Sequence, residues 1–456
     1  MSEPIISVSG LRGIIGEQLT PLVAARYIAA LASTLPAQTS QQVAQPGRVI
    51  IGRDGRSSGQ MLVHAVTAAL SASGLQTIDL GVASTPTVGV QVREQSAVAG
   101  IQISASHNPK EYNGLKLFSS QGRVLSKPAG EEVLAAYRDG RTRWLGVDGL
   151  ADYLRLADPH TAHCQKVLQT VDVAAIRGRS FRVLLDSNHG AGSLLGRQLL
   201  TALGCRFTIL GDAADGQFAH PPEPLADNLS SVSSAVQNGD FDIGFCQDPD
   251  ADRLAVIDEQ GRYIGEELTL ALCLLQALPK RPGTVVTNCA TSGLSKIIAA
   301  EQGCTLLQSA VGEANVADLM IAKQAVFGGE GNGGPIDPQV GYVRDSFVGM
   351  ARILELLATS RSQVSELVGG LPKLAIVKDK IEMDGSRLPK LFDLLTQEIH
   401  DAQSSRQDGL KLAWPDRWLL VRGSNTEPIV RFIAEAPTSA EAQALCDQAR
   451  RLSTQL

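Results

Sequence analysis

Phe241-Asp242-Ile243-Gly244-Phe245-Cys246, Asp248-Pro249-Asp250-Ala251-Asp252-Arg253 and Leu254-Ala255-Val256-Ile257 follow one another almost without a break. The first and last stretches read as strands, and the turn residues Asp258-Glu259-Gln260-Gly261 close the second. Between them lie three carboxylates at alternate positions, with an arginine beside them. A straight strand would hold the outer two roughly 13 Å apart, at ~3.3 Å per residue. No single cation with oxygen ligands at ~2.1 Å could then take all three. The chain must curl here, and Pro249 inside a would-be strand agrees. Clustered carboxylates repel one another unless a divalent cation neutralises them, so the loop reads as a Mg²⁺ site between two strands.

Three other readings compete. Asp248, Asp250, Asp252 and Glu259 fall at EF-hand ligand positions, but Arg253 stands where that loop's sharp turn needs glycine, and the flanks are strand-like. A phosphatase with a strand-end aspartate nucleophile would need only the first two acids, which here lie mid-chain and alone. An exposed acidic turn is the third, and the rest of the chain argues against it.

With 456 residues, the chain has room for three or four domains of ~100–200 residues each. Its 44% hydrophobic content can fill several cores, and 41 basic against 47 acidic residues leave a formal net charge of −6. No general attraction to nucleic acid or to an anionic membrane is expected. The seven cysteines are scattered without a CxxC pair, as small buried hydrophobes in a reducing compartment would be. The N-terminus lacks a signal-peptide pattern, and the most apolar window, Leu268 to Leu278, is too short to span a bilayer. The expectation is a soluble cytoplasmic protein.

Strand-like and helix-like segments alternate over most of the length, which argues α/β architecture. Arg48–Gly52 precedes the apolar-periodic Met61–Leu70; Arg182–Asp186 precedes Gly190–Leu203; Gly283–Thr287 precedes Ser292–Ala300. Each pair is joined by a short Gly/Ser/Asp-rich loop, so loops at strand ends are the expected working parts. No internal repeat is evident, and the polar Gln38–Gln45 reads as a surface loop. Boundaries are expected near 150, near 255 and near 370, where Gly369-Gly370-Leu371-Pro372 reads as a linker. The units are then 1–150, 151–255, 256–370 and 371–456, the last a small α+β domain.

Three further loops carry chemistry. Ser104-Ala105-Ser106-His107-Asn108-Pro109 follows the apolar run Val98–Ile103 and can present Ser106 outward. A serine hydroxyl needs a base, cation or dipole to become a nucleophile, and His107 and Lys116 are candidate helpers; a Ser/Asn turn with a surface lysine is the plain alternative. Gly328-Gly329-Glu330-Gly331-Asn332-Gly333-Gly334-Pro335 allows close backbone approach. There Glu330 and Asn332 suit sugar hydroxyls, unless the stretch is only a linker. Arg422-Gly423-Ser424-Asn425-Thr426-Glu427-Pro428, with Arg431 behind it, offers guanidinium, hydroxyl, amide and backbone N–H groups for a phosphate. A capped helix start would explain Ser424 and Thr426 but neither arginine.

With these four loops in this order, and with Ser7-Val8-Ser9-Gly10-Leu11-Arg12-Gly13 at the start, the whole chain resembles the α-D-phosphohexomutases. That family includes phosphomannomutase, phosphoglucomutase and phosphoglucosamine mutase. The resemblance implies four domains around a central cleft: three similar αβα units with mixed sheets and a distinct, smaller C-terminal α+β domain. It implies that Ser106 is phosphorylated in the resting enzyme, and that Asp248, Asp250, Asp252 and a phosphoserine oxygen bind Mg²⁺. Glu330 matches the sugar contact, and Arg422, Ser424, Asn425, Thr426 and Arg431 match the loop for the non-reacting phosphate. Lys116 matches the general base, while Arg12 and Arg253 brace the phosphoserine. The implied reaction interconverts hexose 1-phosphate and hexose 6-phosphate through a hexose 1,6-bisphosphate, which also serves as activator. The implied partners are small sugar phosphates, in a monomer or homodimer.

The sequence departs from the family pattern in places. Asn332-Gly333-Gly334 stands where many members carry Ser-Gly-His, so a sugar-loop histidine is missing. Gly423 replaces a frequent proline. Asn425, where glucosamine-specific members usually carry glycine, leans toward mannose or glucose, with glucosamine the alternative. A phosphatase, or a sugar-phosphate sensor without catalysis, would use the same scaffold.

Overall fold

The computed structural model describes residues 3–7, 10–36, 46–423 and 429–456. The polar stretch Gln38–Gln45 and the expected phosphate ligands Ser424, Asn425 and Thr426 lie outside the described residues, as do Val8 and Ser9.

The β-branched runs noted above form the buried middles of sheets. Val49, Ile50 and Ile51 are fully buried, as are Val183, Leu185, Val285 and Val286. Continuous apolar runs of this kind suit strands covered on both faces by helices.

Three sheets repeat one plan. In the first, Arg48–Arg53 pairs in parallel with Gln76–Val82 on one side and Ala99–Ile103 on the other, and Ala99–Ile103 pairs antiparallel with Tyr112–Ser119. In the second, Arg182–Asp186 takes Arg206–Leu210 and Ile243–Gln247 in parallel, and Leu254–Ile257 returns antiparallel. In the third, Thr284–Asn288 takes Thr305–Ser309 and Phe327–Glu330 in parallel, and Gly334–Ile336 returns antiparallel. Each time the order is fourth, third, first, second. The serine, acidic and sugar loops occupy the same place in each plan, the turn from the third strand into the fourth. They leave the carboxyl ends of parallel strands, where ligands collect in open α/β sheets.

The first sheet carries three more strands. Ile5–Ser7 and Gly10–Ile14 extend it beside Tyr112–Ser119, and Tyr153–Arg155 pairs in parallel with Gln76–Val82, so this sheet runs past residue 150. The second sheet likewise runs past 255, to Ile257. The fourth sheet is antiparallel throughout, in the order Ala375–Glu382, Ile429–Ala436, Trp418–Gly423, Leu410–Ala413, Gln403–Ser405. One face buries Leu419, Val421, Phe432 and Ala434 together with residues of the helices Leu388–Glu398 and Ser439–Ser453. The opposite face sets Trp418, Leu420 and Ile433 against Cys289 of the third unit.

The expected long glycine loop at 328–335 is shorter than its composition indicates. Phe327–Glu330 and Gly334–Ile336 are paired strands, which leaves only 331–333 as the turn. The glycines at 328 and 329 serve packing instead: a Cβ at Gly328 would stand 2.6 Å from both Met320 Sδ and Val286 O. All seven cysteines are free. No helix among the described residues is long and apolar enough to cross a membrane.

Because one of the two obstacles at Gly328 is backbone, Gly328→Ala is expected to destabilise the protein by about 1–3 kcal/mol through overpacking. A lower urea midpoint would show it, and an unchanged midpoint would contradict the packing role.

Candidate active site

The serine loop is held by a buried ion pair. Asp54 and Arg56 follow the strand Arg48–Arg53, and Arg56 Nε donates to Asp54 Oδ2 at 3.0 Å. The two terminal nitrogens of Arg56 donate to four carbonyls of the loop: Ser106 O (2.7 Å), Asn108 O (2.6 Å), Pro109 O (2.6 Å) and Tyr112 O (3.1 Å). Ser104 Oγ donates to Asp54 Oδ2 at 2.6 Å and accepts from Ser106 N at 2.8 Å. These bonds hold Ser106 at φ 50°, in the left-handed region. An L residue is strained there, and such strain persists only where the surroundings over-determine it.

Ser106 faces the acidic loop, and its Oγ donates to Asp248 Oδ2 at 2.7 Å. The loop curls as its sequence requires. Ala251 sits at φ 54°, and Asp248 Oδ1 accepts from Asp252 N and Arg253 N, both at 3.1 Å. Asp248, Asp250 and Asp252 are fully buried, and each offers a ligand oxygen within 4.8 Å of the others. Asp250 Oδ1 and Asp252 Oδ1 are buried with no hydrogen-bond partner. Two orphaned carboxylate oxygens in one cluster are the donor set a hard divalent cation takes.

Cations of the chain surround the cluster. Lys116 Nζ donates to Asp250 Oδ2 at 3.1 Å and to Asp252 Oδ2 at 2.9 Å. Burial works to lower the Lys116 pKa, but these two carboxylates overcome it and hold the group a firm ammonium. Burial, then the neighbouring Asp250 and Asp252, push Asp248 well up. Burial also works to raise Asp250, but Lys116 and the hydrogen bonds from Asp248 and Thr85 bring it below the ordinary value. Arg12 Nη1 donates to Asn108 Oδ1 at 2.6 Å, and Arg253 Nη1 lies 3.6 Å from Glu223 Oε1. His107 Nδ1 stands 3.4 Å from Ser106 Oγ, and burial with Arg253 and Arg12 pushes its imidazole down to about 2. A neutral His107 can accept a hydrogen bond beside the serine but does not carry a charge there.

The sugar loop joins this centre through Arg344, which sequence reasoning missed. Arg344 Nη2 donates to Asp252 Oδ2 at 2.7 Å and Nη1 to Glu330 Oε2 at 2.9 Å, and its N–H donates to Glu313 Oε1 at 3.0 Å. Glu330 Oε1 accepts from Asn288 Nδ2 at 2.8 Å and Gly312 N at 3.2 Å. Asn332 Oδ1 is buried and unpartnered. Under this turn lies Glu267, which accepts from Ser292 N at 2.9 Å and packs where any Cβ on Gly331 would strike it.

The phosphate-loop arginines stand apart from this centre, on the fourth sheet. Arg422 Nε lies 3.1 Å from Asp408 Oδ2, and Asp408 also accepts from Val311 N of the third unit at 2.9 Å. Arg422 and Arg431 face each other in register, and Lys380 is the register partner of Arg431 on its other side. Directly opposed residues share a sheet face, and like charges placed so are destabilising. Three cations, one of them paired with Asp408, thus stand in register on one face. Lys380 also escaped the sequence reading.

The comparisons with known proteins agree along the whole length. Residues 5–143, 161–261 and 266–374 match the models described as phosphoglucomutase/phosphomannomutase alpha/beta/alpha domains I, II and III, and 379–452 match the C-terminal domain. The chain is 35% identical over 442 residues to phosphoglucomutase/phosphomannomutase of Thermococcus kodakarensis, covering 95% of each. It is 32% identical to a probable phosphoglucosamine mutase of Methanopyrus kandleri, covering 96% of this chain and 95% of the relative. Among solved structures, a phosphoglucomutase/phosphomannomutase family protein from Burkholderia thailandensis superposes with a TM-score of 0.83 at 27% identity, over 98% of this chain and 97% of the other. The chain belongs to the phosphoglucomutase/phosphomannomutase family; it is a phosphohexomutase, and so an isomerase.

Burial pushes the Glu267 carboxyl up to about 8 from its ordinary 4.5. Across that window the folded protein holds a proton that the unfolded chain has lost. The stabilisation is therefore complete below about 4.5 and lost as pH rises through about 8. Glu267→Gln is expected to melt at the wild-type temperature near pH 5 and above it near pH 9. Thermal melts across this range test it, and parallel curves for the two proteins would contradict it.

Proposed function

We propose that Ser106 carries the transferable phosphoryl group of a reaction that interconverts hexose 1-phosphate and hexose 6-phosphate, with mannose and glucose phosphates as the favoured substrates. The observation that carries this reading is the 2.7 Å bond from the strained Ser106 to Asp248, inside a cluster whose other two carboxylates each keep an orphaned oxygen.

Asp248, Asp250 and Asp252 would hold a Mg²⁺, with a phosphoserine oxygen as a further ligand. Bound there, it would screen phosphoryl oxygens from the carboxylates and take from Lys116 the two partners that now hold its proton. The chain's own residues do the rest. Arg422, Arg431 and Ser424–Thr426 hold the non-reacting phosphate, while Glu330 and Asn332 hold hydroxyls of the ring. A sugar hydroxyl attacks the phosphoserine phosphorus, the P–Oγ bond of Ser106 breaks, and the new P–O bond yields hexose 1,6-bisphosphate. Lys116, once relieved of its carboxylates, takes the attacking hydroxyl's proton, and that proton balances the one Ser106 Oγ regains as the P–Oγ bond breaks. The bisphosphate turns in the cleft and returns its other phosphate to Ser106. The positive Arg12 and Arg253 support the phosphoserine, and the neutral His107 orients its oxygen.

In this reading the four units take the phosphoserine, metal, sugar and phosphate roles in chain order, with the first two extended by their sheets to Arg155 and Ile257. All the groups come from one chain, so either a monomer or a homodimer serves. Seven free cysteines support a reducing, cytoplasmic setting. Glucosamine phosphates are the second reading, because relatives of similar identity carry both names.

Phosphorus NMR with Mg²⁺, a trace of hexose 1,6-bisphosphate and, in turn, mannose, glucose and glucosamine 1-phosphates tests the assignment. A growing 6-phosphate signal without inorganic phosphate is expected, fastest with mannose or glucose. Inorganic phosphate alone would make the protein a phosphatase. Ser106→Ala is expected to abolish multiple turnover while binding of hexose phosphate survives, and full activity in that variant would sink the scheme. Lys380→Ala is expected to raise KM about fivefold with kcat nearly unchanged, the equivalent of ~1 kcal/mol for a partly exposed charge pair. An unchanged KM would reduce Lys380 to an edge-strand lysine that deters sheet-to-sheet association.

A further inference from the structure

His163 has no part in that scheme, yet it lies where three units meet. Its side chain, on the helix Thr161–Leu168, is fully buried. Nε2 lies 2.7 Å from Asp345 Oδ2 of the third unit, and Nδ1 lies 2.9 Å from Thr87 Oγ1 of the first. These two partners belong to the first turns of the two helices that grip the acidic loop.

One grip is the helix Thr85–Glu94. Thr85 N donates to Asp250 O at 2.9 Å, and the Thr85 hydroxyl donates to Asp250 Oδ2. The other is the helix Ser346–Ser360, capped by Asp345, whose Oδ1 accepts from Phe347 N and Val348 N. Beside that cap, Arg344 holds Asp252, and Ser346 Oγ donates to Ala251 O at 2.7 Å. The imidazole is thus the strut between two jaws that close on either side of Asp250-Ala251-Asp252.

The hydrogen-bond directions follow for a neutral imidazole facing the Asp345 carboxylate. The Asp345 carboxylate is an acceptor, so Nε2 carries the proton and donates. Nδ1 then accepts from the Thr87 hydroxyl, which accepts from Ser84 Oγ at 2.7 Å. Phe347 meets the ring edge-on, 5.6 Å between centroids. A side chain kept only to fill this space would need neither bond; an imidazole offers a donor and an acceptor on opposite edges of one rigid ring.

We propose that His163 is a positioning residue that sets the spacing of Asp250 and Asp252, and through it the cation affinity of the acidic loop. The proposal rests on the reading of that loop as a divalent-cation site. Outer groups that orient ligand carboxylates are typically worth 10–100-fold in metal affinity.

The test is direct titration of the full chain with Mn²⁺, followed by electron paramagnetic resonance, with steady-state kinetics alongside. His163→Phe keeps the ring's bulk and removes both bonds; Thr87→Val keeps the imidazole and removes one. Both are expected to weaken Mn²⁺ binding about tenfold or more and to lower kcat at limiting Mg²⁺, while KM for hexose phosphate stays within about twofold. His163→Gln, which again offers a donor and an acceptor, is expected to recover part of the affinity. Wild-type Mn²⁺ affinity in either folded variant would overturn the proposal and leave His163 a packing residue. Should His163→Phe fail to fold, Thr87→Val decides. No Mn²⁺ binding by the wild type would overturn the cation-site reading itself, and this inference with it.

Discussion

Three carboxylates held within 4.8 Å of one another in a fully buried loop are the constraint on which the rest of this structure turns. Burial removes the water that would screen their repulsion, so the neutralising groups must come from the protein or from a bound cation. They come from more than one unit. Lys116 reaches Asp250 and Asp252 from the first, and Arg344 reaches Asp252 from the third. The cluster that could hold a cation therefore also binds three units to one another.

That arrangement places the proposed reacting groups on turns between a parallel strand and its antiparallel neighbour. The same four-strand plan occurs three times, and its equivalent turns converge: Ser106 from the first, Asp248 to Asp252 from the second, Glu330 from the third. A rigid sheet end fixes each turn, and the Asp54–Arg56 pair adds a template that no sheet supplies, holding Ser106 in a left-handed conformation. The proposed phosphate-binding side is built otherwise, on an antiparallel sheet. One face of that sheet is apolar where it rests on the third unit and cationic where Arg422, Arg431 and Lys380 stand in register. In the proposed scheme, a phosphate clamp on a separate unit suits a bisphosphate that must present either end.

What the sequence disclosed and what it hid follow from the range of the interactions. Asp248, Asp250 and Asp252 are legible because their spacing forces a curl within six residues, and Ser106 because it follows an apolar strand directly. Arg344 is not, since it meets Asp252 across 92 residues and Glu330 across 14, with no local pattern to announce either contact. Arg56 could have been noticed as a charged residue at the end of the strand Arg48–Arg53, but its four carbonyl partners are visible only in three dimensions. The threefold plan left no repeat in the sequence because strand order is conserved by hydrogen bonding while side chains differ. The glycines at 328 and 329 gave a false signal of a long loop, since glycine also marks places where a strand must pass close to a neighbour.

The central claim is that phosphate passes through Ser106. Its most direct test is to incubate the protein with Mg²⁺ and hexose 1,6-bisphosphate carrying labelled phosphorus, quench, and map the label by peptide mass spectrometry. The account predicts stoichiometric label on the peptide containing Ser106, chased off by unlabelled hexose 1-phosphate. Turnover without label on that peptide, or label that hexose phosphate cannot remove, would contradict it.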